Sequence, residues 1–192
     1  MYYKTTCYTP IGEITIACNE QEKIVGLWLA GQKYFGGTIE SEIVENNELK
    51  TFKTTKNWLD RYFKGEKPAI SELPLAPIGN AFRQRVWQLL CEIPYGEICT
   101  YSDIAKIIAQ EQGKTKMSAQ AIGGAVGHNP ISIIIPCHRV VGKNGSLTGY
   151  AGGIKTKIKL LEHEKVDMEK LFTPQKVAPH HKNTYSLPPF YR

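Results

Sequence analysis

Apolar and polar positions alternate over Tyr2 to Tyr8, Glu13 to Ala17 and Ile24 to Leu29. With Gly12 and the polar run Asn19 to Lys23 between them, these segments predict three strands joined by turns. From Leu49 the period changes: Leu49, Phe52, Trp58, Leu59, Tyr62 and Phe63 mark one face of a helix that Gly65 can terminate. Residues 1–75 therefore read as a small sheet-plus-helix lobe. Ile70 to Gly79, with Pro74, Pro77 and Gly79, predicts a linker to a second, mostly helical lobe over residues 80–166. There Asn80 caps a helix carrying Phe82, Val86, Leu89, Leu90 and Ile93, and Pro94-Tyr95-Gly96 closes it. Thr100 and Asp103 form a capping-box start for a helix with Ile104, Ile107 and Ile108, Gly113 ends that helix, and Ser118 starts the next. The fold class is α+β, with residues 167–192 left as a tail.

The last two helices, joined by Gln112 to Met117, have the pattern of a helix-turn-helix with a longer loop than usual. The second helix is unusual in composition. Ala119, Ala121, Gly123, Gly124, Ala125 and Gly127 leave it nearly bare, at up to about 1 kcal/mol per glycine relative to alanine. A bare helix can approach another backbone closely, either in a nucleic-acid groove or against a neighbouring helix.

The apolar run ending in Ile133-Ile134-Ile135-Pro136-Cys137-His138-Arg139 predicts a buried strand that delivers a cysteine and a histidine to a rigid turn. A thiol attacks as thiolate, and an unassisted cysteine with a pKa of roughly 8.5 is mostly protonated at neutral pH. His138 and Arg139 are both positioned in sequence to help. His128-Asn129-Pro130 is a second polar turn one strand-length upstream, so both ends of the strand are expected to face one pocket.

Composition narrows the partners. The chain has 192 residues, 42% hydrophobic and 22% charged, as an ordinary water-soluble chain does. Its 24 Lys plus Arg against 18 Asp plus Glu leave a formal charge of +6, which suits a polyanionic partner. No apolar stretch is long enough to span a bilayer. Cys7, Cys18, Cys91, Cys99 and Cys137 are odd in number and irregular in spacing, and the amino terminus lacks a signal-peptide core; a reducing, cytoplasmic location is expected.

Three blocks carry a resemblance. They are Ala121-Ile-Gly-Gly-Ala-Val-Gly-His-Asn-Pro130, Ile135-Pro-Cys-His-Arg-Val-Val141, and Gly145-Ser-Leu-Thr-Gly-Tyr-Ala-Gly-Gly153 followed by Leu160-Leu-Glu-His-Glu164. In this order and spacing the chain resembles the O6-alkylguanine-DNA alkyltransferases. The resemblance implies a ribonuclease H-like first lobe and a winged-helix-like second lobe. It also implies direct repair of double-stranded DNA by a single, irreversible transfer of the alkyl group from O6-methylguanine, with O4-methylthymine as a further candidate, to Cys137. By the same resemblance His138 is the base, Glu164 orients it, Asn129 braces the turn, and Tyr101 protonates the leaving guanine and helps rotate the nucleotide out. Ser102, Gln120, Ala121, Gly124, Arg139, Tyr150 and Ala151 are the matching DNA and substrate contacts, reached from the minor groove. No cofactor is implied, and the family precedent is a monomer.

Two positions depart from the pattern. Gln120 stands where many members carry an arginine that fills the gap left by the flipped base, which predicts weaker DNA affinity. Some relatives bind zinc in the first lobe, but this chain has only Cys7 and Cys18 there and no histidine before His128, so no metal site is expected. Other readings of the residues stay open. A thiol hydrolase would also use cysteine, histidine and a carboxylate, but would need an oxyanion hole. A lesion sensor would lack the cysteine, and a helix-turn-helix regulator would not need an activated thiol.

Overall fold

The computed structural model describes residues 1–174 apart from Thr38 and Glu40; the expectation of a disordered or surface-draped end therefore lies, from Gln175 onward, outside the described residues. The strands are β1 (Tyr2–Thr9), β2 (Gly12–Asn19), β3 (Ile24–Leu29) and the short β4 (Ile43–Glu45), which the alternation pattern did not reveal. They form one sheet in the order β3-β2-β1-β4, antiparallel except for the parallel β1–β4 pair. Helix α1 (Lys50–Phe63) lays Phe52, Trp58, Leu59 and Tyr62 into the core, and Gly65, at φ 82°, follows its end.

Every residue of β3 is buried, although β3 stands at an edge of the sheet. The reason is that other chain segments complete its hydrogen bonding. Ile24 exchanges bonds with Pro74 and Ala76 at 2.8 and 2.7 Å, and Leu27 does so with Pro130 and Ser132 at 2.8 and 2.9 Å. The span from Ile70 to Gly79 is thus no free tether. It contains a 3-10 turn at Ile70–Glu72, buries Leu73 and pairs with β3. Covering an edge in this way also removes a template for aggregation.

The second half consists of α2 (Ala81–Cys91), β5 (Cys99–Thr100), α3 (Tyr101–Glu111), α4 (Ala119–Gly127), β6 (Val140–Val141) and α5 (Ile154–His163). Asn80 accepts from the Arg83 amide, Thr100 and Asp103 form the expected capping box, and Ser118 caps α4. Parallel pairing of β5 with β6 sets the start of α3 beside Cys137-His138-Arg139. One continuous core joins Ile14, Phe52, Trp87, Ile104, Ile122, Ile133 and Leu160, so the two halves share their apolar interior. Among the described residues no helix is long and apolar enough to cross a membrane. Phe172 pairs with Ser146, which ties down the start of the expected tail.

The strand expected before the cysteine is absent. Ile131 to Ile135 is buried, but it runs as a compact turn in which the Ile135 amide bonds the Ile131 carbonyl at 3.1 Å and Ile133 adopts φ 71°. Periodicity cannot report this, because a buried turn and a buried strand have the same apolar composition.

Close packing constrains β3 at Gly26, where an added Cβ would lie 2.0 Å from the buried Trp28 ring. Gly26→Ala should therefore cost about 1–3 kcal/mol through overpacking. A thermal melt would show a lowered Tm; an unchanged Tm would contradict this packing.

Candidate active site

The turn before Cys137 is organised by one side chain. Asn129 donates to the carbonyls of Ile131 at 3.3 Å and Ile135 at 2.8 Å and accepts from the Ile131 amide at 3.0 Å, closing the backbone around itself. Its amide also lies 3.1 Å from Cys137 Sγ. The two ends of the apolar run thus meet through a turn and not through a strand. Pro136 then leads into a 3-10 turn, Cys137–Arg139, and the thiol is left only 3% exposed.

Burial raises the Cys137 pKa, and the Asn129 hydrogen bond and the nearby Lys157 charge partly offset that rise. The nearby cation is therefore Lys157 of α5 and not Arg139, as adjacency in sequence had suggested. Lys157 is fully buried, donating to the Val140 carbonyl and, at 3.1 Å, to the Thr148 carbonyl. Burial brings its pKa down to about 8.

Glu164 caps the C-terminal end of α5, where the helix dipole disfavours a negative charge, and it is 2% exposed. Donors compensate on both oxygens. Oε1 accepts from Tyr62 Oη at 2.7 Å, His138 Nε2 at 2.7 Å and Arg139 Nη2 at 2.9 Å; Oε2 accepts from Arg139 Nε at 2.8 Å and the Gly96 amide at 3.3 Å. Burial alone would raise its pKa, but the hydrogen bonds from His138 and Arg139 hold the carboxyl well below the usual range. Burial lowers the His138 pKa in spite of the carboxylate beside it. A neutral imidazole with its proton on Nε2 satisfies Glu164, and Nδ1 is a buried nitrogen without a hydrogen bond among the described residues. This arrangement can hold a base ready beside a thiol.

A cleft of about 730 Å³ has in its walls Tyr101 and Tyr150, both close enough to Cys137 to feel its charge, together with Ser102, Gln120, Gly124 and Ala151. Tyr101 Oη lies 3.2 and 3.1 Å from the carbonyls of Thr148 and Gly149, and burial followed by the Cys137 charge raises its pKa to about 12. The Tyr150 hydroxyl is buried without a hydrogen bond among the described residues. Gly152 is needed behind this wall: a Cβ there would come within 2.8 Å of the Tyr150 ring and 2.7 Å of Leu29. Ala119, Gln120, Ala121 and Gly124 form the exposed face of α4, with Ala121 outside the cleft lining.

Arg139 is the misplaced expectation. It is 7% exposed, its guanidinium bonds Glu164 twice and the Ile93 carbonyl at 2.6 Å, and it does not line the cleft. Two groups were not singled out from the sequence, Tyr62 and Lys157. The helical stripe marks Tyr62 only as core, and its hydroxyl partner Glu164 is 102 positions away. A signal for Lys157 did exist, since it shares a helical stripe with Leu160, Leu161 and Glu164. Among the described residues no group of three or more His, Cys, Asp or Glu is placed to hold a metal ion.

Both halves of the chain have counterparts among known proteins. Residues 1–77 match the model of the 6-O-methylguanine DNA methyltransferase ribonuclease-like domain, and residues 81–166 match that of the same enzyme's DNA binding domain. A methylated-DNA–protein-cysteine methyltransferase of Haemophilus influenzae is 40% identical over 164 residues, covering 85% of this chain and 87% of the relative. The constitutive Bacillus subtilis protein of that name is 40% identical over 168 residues, covering 86% of this chain and 97% of its own. The crystal structure of Mycobacterium tuberculosis OGT in complex with DNA superposes with a TM-score of 0.71 at 38% identity, covering 85% of this chain and 92% of that one. With both halves of the chain matched in order, this protein belongs to the 6-O-methylguanine DNA methyltransferase family.

Proposed function

We propose that the protein repairs double-stranded DNA by moving the alkyl group of O6-methylguanine onto Cys137, once per molecule. The observation that carries this reading is the buried Cys137 next to two residues of a cleft wall, Tyr101 and Tyr150, with His138 on Glu164 at 2.7 Å and Nδ1 without a hydrogen bond among the described residues. His138 Nδ1 takes the thiol proton through a bridging water, and Cys137 Sγ attacks the O6-alkyl carbon in line. The S–C bond forms as the C–O6 bond breaks, its electron pair leaves on the guanine, and the Tyr101 hydroxyl supplies the proton that neutralises the base. Tyr101 fits that role because its raised pKa keeps it a donor at neutral pH.

The thiol lies too deep for a base that remains stacked in a duplex, so the nucleotide is rotated out into the cleft, between Tyr101 and the Tyr150 wall. The bare face of α4 suits a shallow approach to the minor groove, with Ser102, Gln120, Ala121 and Gly124 at the contact and residues 80–166 as a winged-helix-like DNA-binding unit. Residues 1–75 form the supporting ribonuclease H-like lobe. The thioether product cannot be hydrolysed by any neighbouring group, so a monomer reacts stoichiometrically and needs no cofactor. O4-methylthymine, which carries the same alkyl carbon on a heteroaromatic oxygen, is a further candidate substrate.

Incubation with a duplex containing one O6-methylguanine, followed by mass spectrometry of the digested protein, should show one methyl group on the Cys137 peptide and none in Cys137→Ala. Tight lesion binding with an unmodified cysteine would instead identify a sensor. Gln120→Arg should tighten duplex binding by supplying a charged, planar filler for the emptied stack; unchanged affinity and rate would contradict that role for Gln120.

The pH dependence follows from His138. Its pKa lies below the ordinary value of 6.5, so the basic form is populated above that point and the acid limb of single-turnover transfer should be centred below pH 6.5. Glu164→Gln should lower the plateau by about 10²-fold or more, the usual contribution of a positioned base. An acid limb centred above pH 6.5 in the wild type would contradict a neutral His138.

A further inference from the structure

The segment that follows β3 leaves the first lobe and crosses to the mouth of the cleft. Two hydrogen bonds fix it there: the Lys33 amide donates to the Ala151 carbonyl at 3.0 Å, and the buried Gln32 side chain accepts from Ser132 Oγ at 2.9 Å. Ser132 and Ala151 belong to the turn before Cys137 and to the cleft wall, so this loop is held by the site itself. Tyr34 sits at φ 63°, a conformation unfavourable for a residue with a side chain, and its ring stacks on His128 at 4.1 Å with 20° between the planes. The Lys33 ammonium lies 4.8 Å from the centre of that ring.

Lys33, Tyr34 and His128 line the same cleft as Gln120 and Gly124 of α4, and Lys143 lines it as well. Lys33 and Tyr34 are exposed, and no carboxylate lines the cleft among the described residues. A lysine on a pinned loop, continuous with the outward face of the DNA-binding helix and free of acidic neighbours in the cleft, complements a phosphodiester.

We infer that the Gln32–Tyr34 loop of the first lobe is part of the DNA interface, with Lys33 contacting a backbone phosphate of the strand that carries the alkylated base and the Tyr34–His128 stack holding it at the rim. This rests on the reading of the cleft as the DNA site. The first lobe then acts on the substrate directly, in addition to supporting the second. The contact is to the backbone, so it adds affinity without sequence preference.

The test compares wild type, Lys33→Ala and Lys53→Ala, the last removing an exposed lysine of α1 that does not line the cleft. Duplex affinity is measured between 50 and 200 mM salt, and single-turnover transfer is measured from a methylated duplex and from free O6-methylguanine. Losing one phosphate contact should reduce the fall in affinity over that salt range by about threefold. Lys33→Ala should show that reduction and slower transfer from the duplex, with transfer from the free base unchanged and Lys53→Ala close to wild type. Equal salt dependence for wild type and Lys33→Ala, an equal change in Lys53→Ala, or slower transfer from the free base would each overturn the inference while leaving the repair reading in place. No transfer from the duplex by the wild type would remove the repair reading and this inference together.

Discussion

The Glu164 carboxylate is the group around which the rest of the site is arranged. It is a negative charge at the wrong end of a helix and out of reach of water, which is costly unless donors replace the solvent. The donors come from three separate places: α1 through Tyr62, the turn after α2 through Gly96, and the Cys137–Arg139 turn through both His138 and Arg139. Removing one partner of such a buried pair typically costs about 3–5 kcal/mol, since the remaining charge is left uncompensated. The contacts that stabilise the carboxylate therefore also hold α1 and α5 against the segment that bears the cysteine. The His138 orientation and the docking of the first lobe are set by the same oxygen.

A second constraint acts on the thiol. Asn129 replaces the strand ladder that the apolar run would otherwise need, satisfying the Ile131 and Ile135 carbonyls from the side chain. A strand would have placed Cys137 and Asn129 at opposite ends of an extended segment. The turn instead brings them to 3.1 Å, with Ile133 taking the left-handed conformation. The arrangement leaves a protonated, desolvated cysteine that needs its neighbours to become reactive, consistent with a thiol kept from reacting until a substrate fills the cleft.

Much of this was legible in the chain because it is local. Capping residues Asn80, Thr100 with Asp103, and Ser118 announce helix starts within four positions, and the helix stripe from Leu49 to Phe63 is a property of one segment. The family blocks also located the cysteine, histidine and carboxylate that the fold brings together. What could not be read depends on contacts between distant segments. Tyr62 and Arg139 look like a core aromatic and a surface cation until Glu164 is placed beside them. The span from Ile70 to Gly79 looks like a tether until β3 is seen to lack a partner at Ile24. Lys157 looks solvated because lysines usually are, and only the carbonyls of Val140 and Thr148 make its burial tolerable.

The central claim is that burial keeps His138 neutral against the pull of Glu164, which fixes the ring proton on Nε2 and leaves Nδ1 as the base. Nitrogen-15 NMR of the imidazole in the resting protein at pH 7 reports this directly. The account predicts a protonated Nε2, an unprotonated Nδ1, and no conversion to imidazolium until the pH falls below 6.5. An imidazolium at pH 7, or a neutral ring with its proton on Nδ1, would contradict it.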